Sequence, residues 1–249
     1  MEEQGTMTKG EIEKMVEDIL DKTIKSLKYA YNHHKEDVYN SCDDDVTTRI
    51  IFPKKRDNEH RISEQEFRFS FLEHFLRDAP DNWYYSVETP TEEKYSFGKD
   101  DAMPLMIVTE SENGNEDSKN KNKGESASID FTIHDKNQNF ERICLIEFKA
   151  LNPNVKNFAK DFLKLNSEPC PNNNCIRYFC LLLKSANKGT YDSIRDKIFL
   201  TGEFSKKWDS DIKSKEREAC KCNVPNIKFR AYLLENGENV TKEIINDQQ

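Results

Sequence analysis

Long apolar runs are what this sequence most clearly lacks. No segment approaches the roughly 20 consecutive apolar residues that a membrane-spanning helix needs. The first twenty residues, MEEQGTMTKGEIEKMVEDIL, hold no apolar core of the kind a secretory signal carries. A membrane partner is therefore not expected, and the protein is expected in the cytoplasm. Aliphatic content is modest as well, so fifteen Phe and nine Tyr must supply much of the core volume. An excess of positive charge is also missing. The formal net charge is −8, with 38 Lys and Arg against 46 Asp and Glu. That balance argues against a generally sticky nucleic-acid binder but leaves room for a locally basic cleft. A carboxylate-built cation site is itself acidic until its ion binds. In a reducing compartment the seven cysteines are thiols or metal ligands rather than disulfides. The 249 residues suffice for one large domain or a domain with an appendage.

Taken in order, Lys9 to about His34 predicts an amphipathic helix, with Ile12, Val16, Ile19, Leu20, Leu27 and Tyr31 at helical spacing. The adjacent pair His33-His34 would point in different directions and suits no metal. Residues 1–55 read as a helical extension packed on a domain spanning 56–249, and 46–52 as a short strand. Lys54, Lys55 and Arg56 open the most basic loop of the chain, KKRDNEHR. From Ile62 to Asp78 a second helix is expected, with Ser63 as N-cap and Glu66 at the third helical position, the capping-box pattern. Its stripe is Phe67, Phe71, Leu72 and Phe75, with Glu64 at the N-terminal end of that stripe and Glu66 and Glu73 on a neighbouring face. Trp83 to Glu88 reads as a strand, and 103–109 as a further short one. The run near 110–125, ESENGNEDSKNKNKGE, has the composition of a disordered insertion.

The most informative stretch is SASIDFTIHDKNQNFERICLIEFKA, Ser126 to Ala150. Ile129, Phe131 and Ile133 alternate along one strand, while Ile143 to Ile146 and Phe148 make the next nearly all apolar. A strand that apolar is usually buried on both faces. Asp130, Glu147 and Lys149 nevertheless sit inside the pair. Glu147 and Lys149 share a face because side chains alternate along a strand. Charges in such a setting are costly unless paired, metal-bound or catalytic.

These residues resemble the PD-(D/E)xK phosphodiesterase superfamily, the restriction-endonuclease-like fold. The matches are Asp130 on one strand and Glu147-Phe148-Lys149 on the next, with sixteen residues between the acids and Ile129 where the family carries proline. Acid-x-Lys also occurs at Glu92, Asp117 and Asp211, but only the copy at Glu147 ends an apolar strand preceded by another strand bearing an acid. The resemblance implies an α/β fold: a mixed central sheet flanked by helices, in an αβββαβ core over roughly 62–184. It implies hydrolysis of phosphodiester bonds, in DNA rather than RNA, with restriction, repair or phage defence as settings. Mg²⁺ or Mn²⁺ would be held by Asp130 and Glu147 with the Phe148 carbonyl as a third oxygen, and Lys149 would position or deprotonate the attacking water. A helix glutamate often completes the family's site. The Ser-Glu-Gln-Glu-Phe start, similar to junction-resolvase relatives, favours Glu64 over Glu66 and Glu73.

Beyond the hairpin, Asn152-Pro153 opens a helix to about Asn166, with Lys156, Lys160 and Lys164 recurring every four residues on the side expected to face outward. Beside a phosphodiester site such a row, like Lys54, Lys55 and Arg56, could track a nucleic-acid backbone. A strand over 176–184, a mostly helical segment broken at Gly189 and Gly202, and a last strand over 227–234 follow, then a polar tail. Cys170 and Cys175 precede one strand, Cys220 and Cys222 the other. If those strands are parallel neighbours, four thiolates could hold a structural Zn²⁺. Cys144 and Cys180 lie mid-strand and belong to the core. The alternative to an enzyme is a nuclease-fold module without turnover, its charges a buried ion network, serving as a nucleic-acid- or protein-binding regulatory subunit. A homo-oligomer is compatible with either.

Overall fold

The strand that carries the apolar Ile143 to Ile146 and Phe148 takes the centre of a sheet, and everything else is layered on it. The computed structural model describes residues 7–32, 48–56, 59–97, 105–108, 124–170, 175–207, 212–222 and 226–245. The elements are α1 (Lys9–Asn32), α2 (Glu64–Asp78), β1 (Trp83–Phe97), β2 (Leu105–Ile107), β3 (Glu125–Asp135), β4 (Glu141–Ala150), α3 (Val155–Ser167), β5 (Ile176–Leu183), α4 (Lys188–Phe199), α5 (Gly202–Lys207), β6 (Lys228–Leu233) and α6 (Thr241–Ile245). Six strands form one mixed sheet in the order β2-β1-β3-β4-β5-β6. The pairs β1–β2, β1–β3 and β3–β4 are antiparallel, whereas β4–β5 and β5–β6 are parallel. Each parallel pair is joined through a helix, the long connection that parallel neighbours require. The protein is thus an α/β fold with helices on both faces of an open sheet.

Alternation on the strands assigns the faces. Ile146 and Phe148, with Tyr178, Cys180 and Tyr232, pack under α1 and α2. Leu145, Phe179, Leu181, Phe229 and Ala231 point the other way, under α3 and α4. Glu147 and Lys149 therefore emerge on the α3 face. Aromatic rings fill much of the α2 side: Phe148 meets Phe67 and Phe71 at ring-centroid distances of 4.8 and 5.4 Å, and Phe131 meets Phe71 and Phe75 at 5.2 and 5.5 Å. The helical extension is part of the same core, since Ile12, Val16, Ile19 and Leu20 are buried in this cluster. Among the described residues no helix is long and apolar enough to cross a membrane.

The capping box at Ser63 is present, with Glu66 accepting from the Ser63 backbone N–H at 2.8 Å and from its hydroxyl. Several expectations need correction. Residues 48–52 are irregular rather than a strand, because Phe52 is buried by ring packing on Tyr31 at 5.7 Å rather than by sheet pairing. Strand β1 runs on past Pro90, which is tolerated where the strand has only β3 beside it. Gly189 lies in the first turn of α4, capped by Asn187, and breaks nothing. The polar tail folds back as α6, with Ile244 in the helix and Val240 just before it both buried. His33-His34, Val46, Thr47 and positions 109–123 of the insertion lie outside the described residues.

Phe148→Ala removes a fully buried ring from the aromatic cluster and should cost about 3–5 kcal/mol in urea unfolding. Ser63→Ala, which removes only the cap, should cost about 1 kcal/mol. Comparable costs for the two would contradict this packing.

Candidate functional site

The antiparallel ladder between β3 and β4 runs from Asp135↔Glu141 to Phe131↔Ile146, where it ends. One residue further, Asp130 takes over with its side chain: Oδ2 accepts the Phe148 backbone N–H at 2.8 Å. The break shows in packing too. Phe131 and Ile133 face α2, but Ile129 packs with the α3-side cluster. On the adjacent strand Glu88 adopts a left-handed backbone, φ 48°, beside this point. The two central strands thus part where Asp130 and Glu147 stand.

Helix α3 supplies the counter-charges. Its Phe158 and Phe162 pack on Phe179 at 5.4 and 4.7 Å, which fixes the helix against the sheet. Asp161 and Lys164, one turn apart, are thereby pressed into the site. The Lys164 ammonium lies 2.7 Å from Glu147 Oε1 and 2.9 Å from Asp161 Oδ1, and donates to the Ser128 carbonyl at 2.8 Å. Lys149 Nζ lies 3.1 Å from Asp161 Oδ2 and 3.5 Å from Glu64 Oε2. From α2, Arg68 pairs with Glu88 and lies 3.8 Å from Asp130 Oδ1. Ser128 donates its hydroxyl to Glu88 at 2.8 Å.

Five carboxylates (Glu64, Glu88, Asp130, Glu147, Asp161) thus meet three cations (Arg68, Lys149, Lys164), which leaves the cluster formally short of two positive charges. Glu147 carries the sharpest deficit. The residue is 0 % exposed and Oε2 has no hydrogen-bond partner. Burial pushes its carboxyl well above the usual range, with Asp161 and Asp130 adding to the rise and Lys164 opposing it. Burial likewise raises Glu64, partly offset by Lys149. Burial alone would lower Lys149, but Asp161, Glu147, Asp130 and Glu64 outweigh it and hold the amine above its ordinary value. Asp161 ends below the usual range because Lys164 and Lys149 outweigh its burial.

The structure therefore brings together Asp130, Glu147, Lys149 and Glu64. It sets the other two helix glutamates elsewhere. Glu66 is occupied by the capping box and by Arg61 at 3.6 Å, and Glu73 accepts from the Thr48 hydroxyl and the Arg49 backbone N–H. The lysine row is not an outward stripe. Lys164 is buried in the site, Lys160 lies 4.7 Å over the Phe97 ring, and Lys156 is half-buried. Lys54, Lys55 and Arg56 are exposed, in a loop closed by the Lys54–His60 bridge. The four cysteines expected to share zinc are not gathered. Cys175 and Cys222 lie in the apolar cluster under α3 and α4 with Cys170 packed against it, while Cys220 lies in a separate cluster with Tyr95 and Leu105. Burial pushes the Cys220 and Cys222 thiols up to about 12.

Asp161, Arg68 and the inward turn of Lys164 escaped the sequence reading. One signal was available: Asp161 falls on the same helical stripe as Phe158, Phe162 and Leu165, where an acid is out of place. Among the described residues no three His, Cys, Asp or Glu side chains converge as a metal-holding group. Mg²⁺ does not need three, since it commonly binds through one or two carboxylates and keeps its waters. The unbonded Glu147 oxygen and the surplus of hard carboxylate donors fit such an ion. Comparison of the chain with protein-family models, curated proteins and solved structures found no match.

The raised Glu147 carboxyl has a definite linkage sign. The folded protein keeps a proton that the unfolded chain releases near 4.5, so this group's stabilisation is full below that value and fades as pH rises through the folded value. Glu147→Gln should remove that loss, so its melting temperature relative to wild type should climb as pH rises from 4.5 into the neutral range. A difference that stays flat over that window would show that Glu147 carries no raised pKa.

Proposed function

We propose that this protein is a divalent-metal-dependent nuclease of the PD-(D/E)xK type that hydrolyses phosphodiester bonds, in DNA rather than RNA. The observation that carries the reading is the meeting of Asp130, Glu147 and Lys149 where β3 and β4 part, with a buried Glu147 oxygen left unbonded. The element order adds support: a helix, three antiparallel core strands, a helix and a parallel strand follow one another, with β2 as an addition at the edge. That is the order of the resembled family's core.

Asp130 and Glu147 would hold Mg²⁺ or Mn²⁺. When bound, the cation supplies charge neutralisation at the phosphate and support for the leaving oxygen. Lys149 keeps its proton at neutral pH because acids surround it, so it acts as a charged donor to the scissile phosphate or attacking water rather than as a base. Glu64, half-buried beside Lys149 with a raised carboxyl, is the group suited to receive the water's proton. Asp130 also fixes β4 through the Phe148 N–H, which ties ligand placement to strand geometry.

One observation favours the binding-module reading: Lys164 already satisfies Glu147 Oε1, as a finished ion network would. Activity separates the two. Purified protein should cut DNA with Mg²⁺ or Mn²⁺, stop in EDTA, and do little with Ca²⁺. Lys149→Ala should lower the rate at least about a hundredfold with the fold and metal binding intact. Asp130→Ala should lose metal binding and cleavage together. If wild type proves as inert as Lys149→Ala on single-stranded, duplex and branched DNA and on RNA, with every metal, the binding module is the better account.

A further inference from the structure

Lys164 is a member of the site that the proposed chemistry does not use. Its stem leaves α3, it is 8 % exposed, and its three donors end on oxygens of Glu147, Asp161 and Ser128, at 2.7, 2.9 and 2.8 Å. Those oxygens come from β4, α3 and β3, so the ammonium sits in a three-oxygen seat built by separate elements. One of them belongs to the acid read as a metal ligand, and another lies two residues before Asp130. An ammonium in such a seat does what a small cation would do there.

We infer that Lys164 is a resident cation that occupies Glu147 while no metal is bound, yields Glu147 when a divalent ion arrives, and stays paired to Asp161. The inference rests on Asp130 and Glu147 being the cation ligands. Asp161 suits the receiving role because it contacts both lysines and lies on the same helix turn as Lys164. The flexible four-carbon stem lets the ammonium move without moving α3. Lys164 gives up the Glu147 oxygen and keeps its contact with Asp161. Lys164 is thus a positioning residue that sets metal affinity by competition. A direct contact with substrate phosphate is disfavoured by its burial.

The test is Mn²⁺ affinity, from the free-ion electron paramagnetic resonance signal, for the full chain and its variants. Lys164→Met should bind Mn²⁺ at least about tenfold more tightly, the factor that one charge-assisted hydrogen bond commonly supports. Asp161→Asn should bind more weakly, because it leaves Lys164 with Glu147 alone. Lys149→Met, whose ammonium contacts Asp161 and Glu64, should change less than Lys164→Met. A general loss of positive charge would move both lysine variants alike, so equal gains overturn the inference. On wild type, the Lys164 ammonium signal in ¹⁵N NMR should shift when Mg²⁺ saturates the site. A signal that stays put, or a Lys164→Met variant that binds no more tightly than wild type, also overturns it, and the nuclease reading survives. If neither wild type nor any variant binds Mn²⁺, both readings fall. Should Lys164→Met not fold, Lys164→Gln carries the same comparison.

Discussion

A carboxylate buried in the middle of a sheet is the constraint on which the rest of this structure depends. Glu147 is fully buried, and an isolated charge there would be several kcal/mol out of balance. The compensation comes from two cations: Lys164 reaches over from α3 and Lys149 stands two residues along the same strand, while Asp130, turned into the gap where the pairing of β3 stops, adds to the cost. Each of these choices weakens something local. The ladder loses a rung, a helix buries a charged turn, and one carboxylate oxygen stays unbonded. A chain selected only for stability would fill the place with apolar side chains of similar volume, which commonly stabilises.

The same helix therefore serves two ends. The apolar contacts of Phe158 and Phe162 on Phe179 hold α3 at a fixed height above the sheet, and that height sets the reach of Asp161 and Lys164. At α2 the logic repeats. Phe67 and Phe71 dock on Phe148, and docking them places Glu64 and Arg68 at the rim of the gap. Site geometry is thus a consequence of aromatic packing on both faces of β4.

Much of this was legible in the sequence because it follows from local pattern. Period-two alternation located β3, a nearly all-apolar run located β4, the Ser63–Glu66 pair located the start of α2, and the clash of Asp130, Glu147 and Lys149 with their apolar surroundings marked the candidate site. What depends on contacts between distant segments was not legible. The four-residue spacing of Lys156, Lys160 and Lys164 looks the same whether the row faces water or the sheet. Only the docking angle of α3 decides that Lys164 turns inward. Arg68 reads as an ordinary exposed helix residue until Glu88, twenty positions away, adopts its left-handed backbone beside it. The cysteine pairs precede β5 and β6 as expected, yet Cys220 is claimed by a different apolar cluster from Cys170, Cys175 and Cys222, which spacing alone does not encode.

The most direct measurement is anomalous scattering from crystals of the wild-type protein soaked in Mn²⁺. The account predicts a single strong peak at coordination distance from both an Asp130 and a Glu147 oxygen, in the gap where β3 and β4 part. A saturated crystal with no peak there, and with Glu147 still held by Lys164, would contradict it.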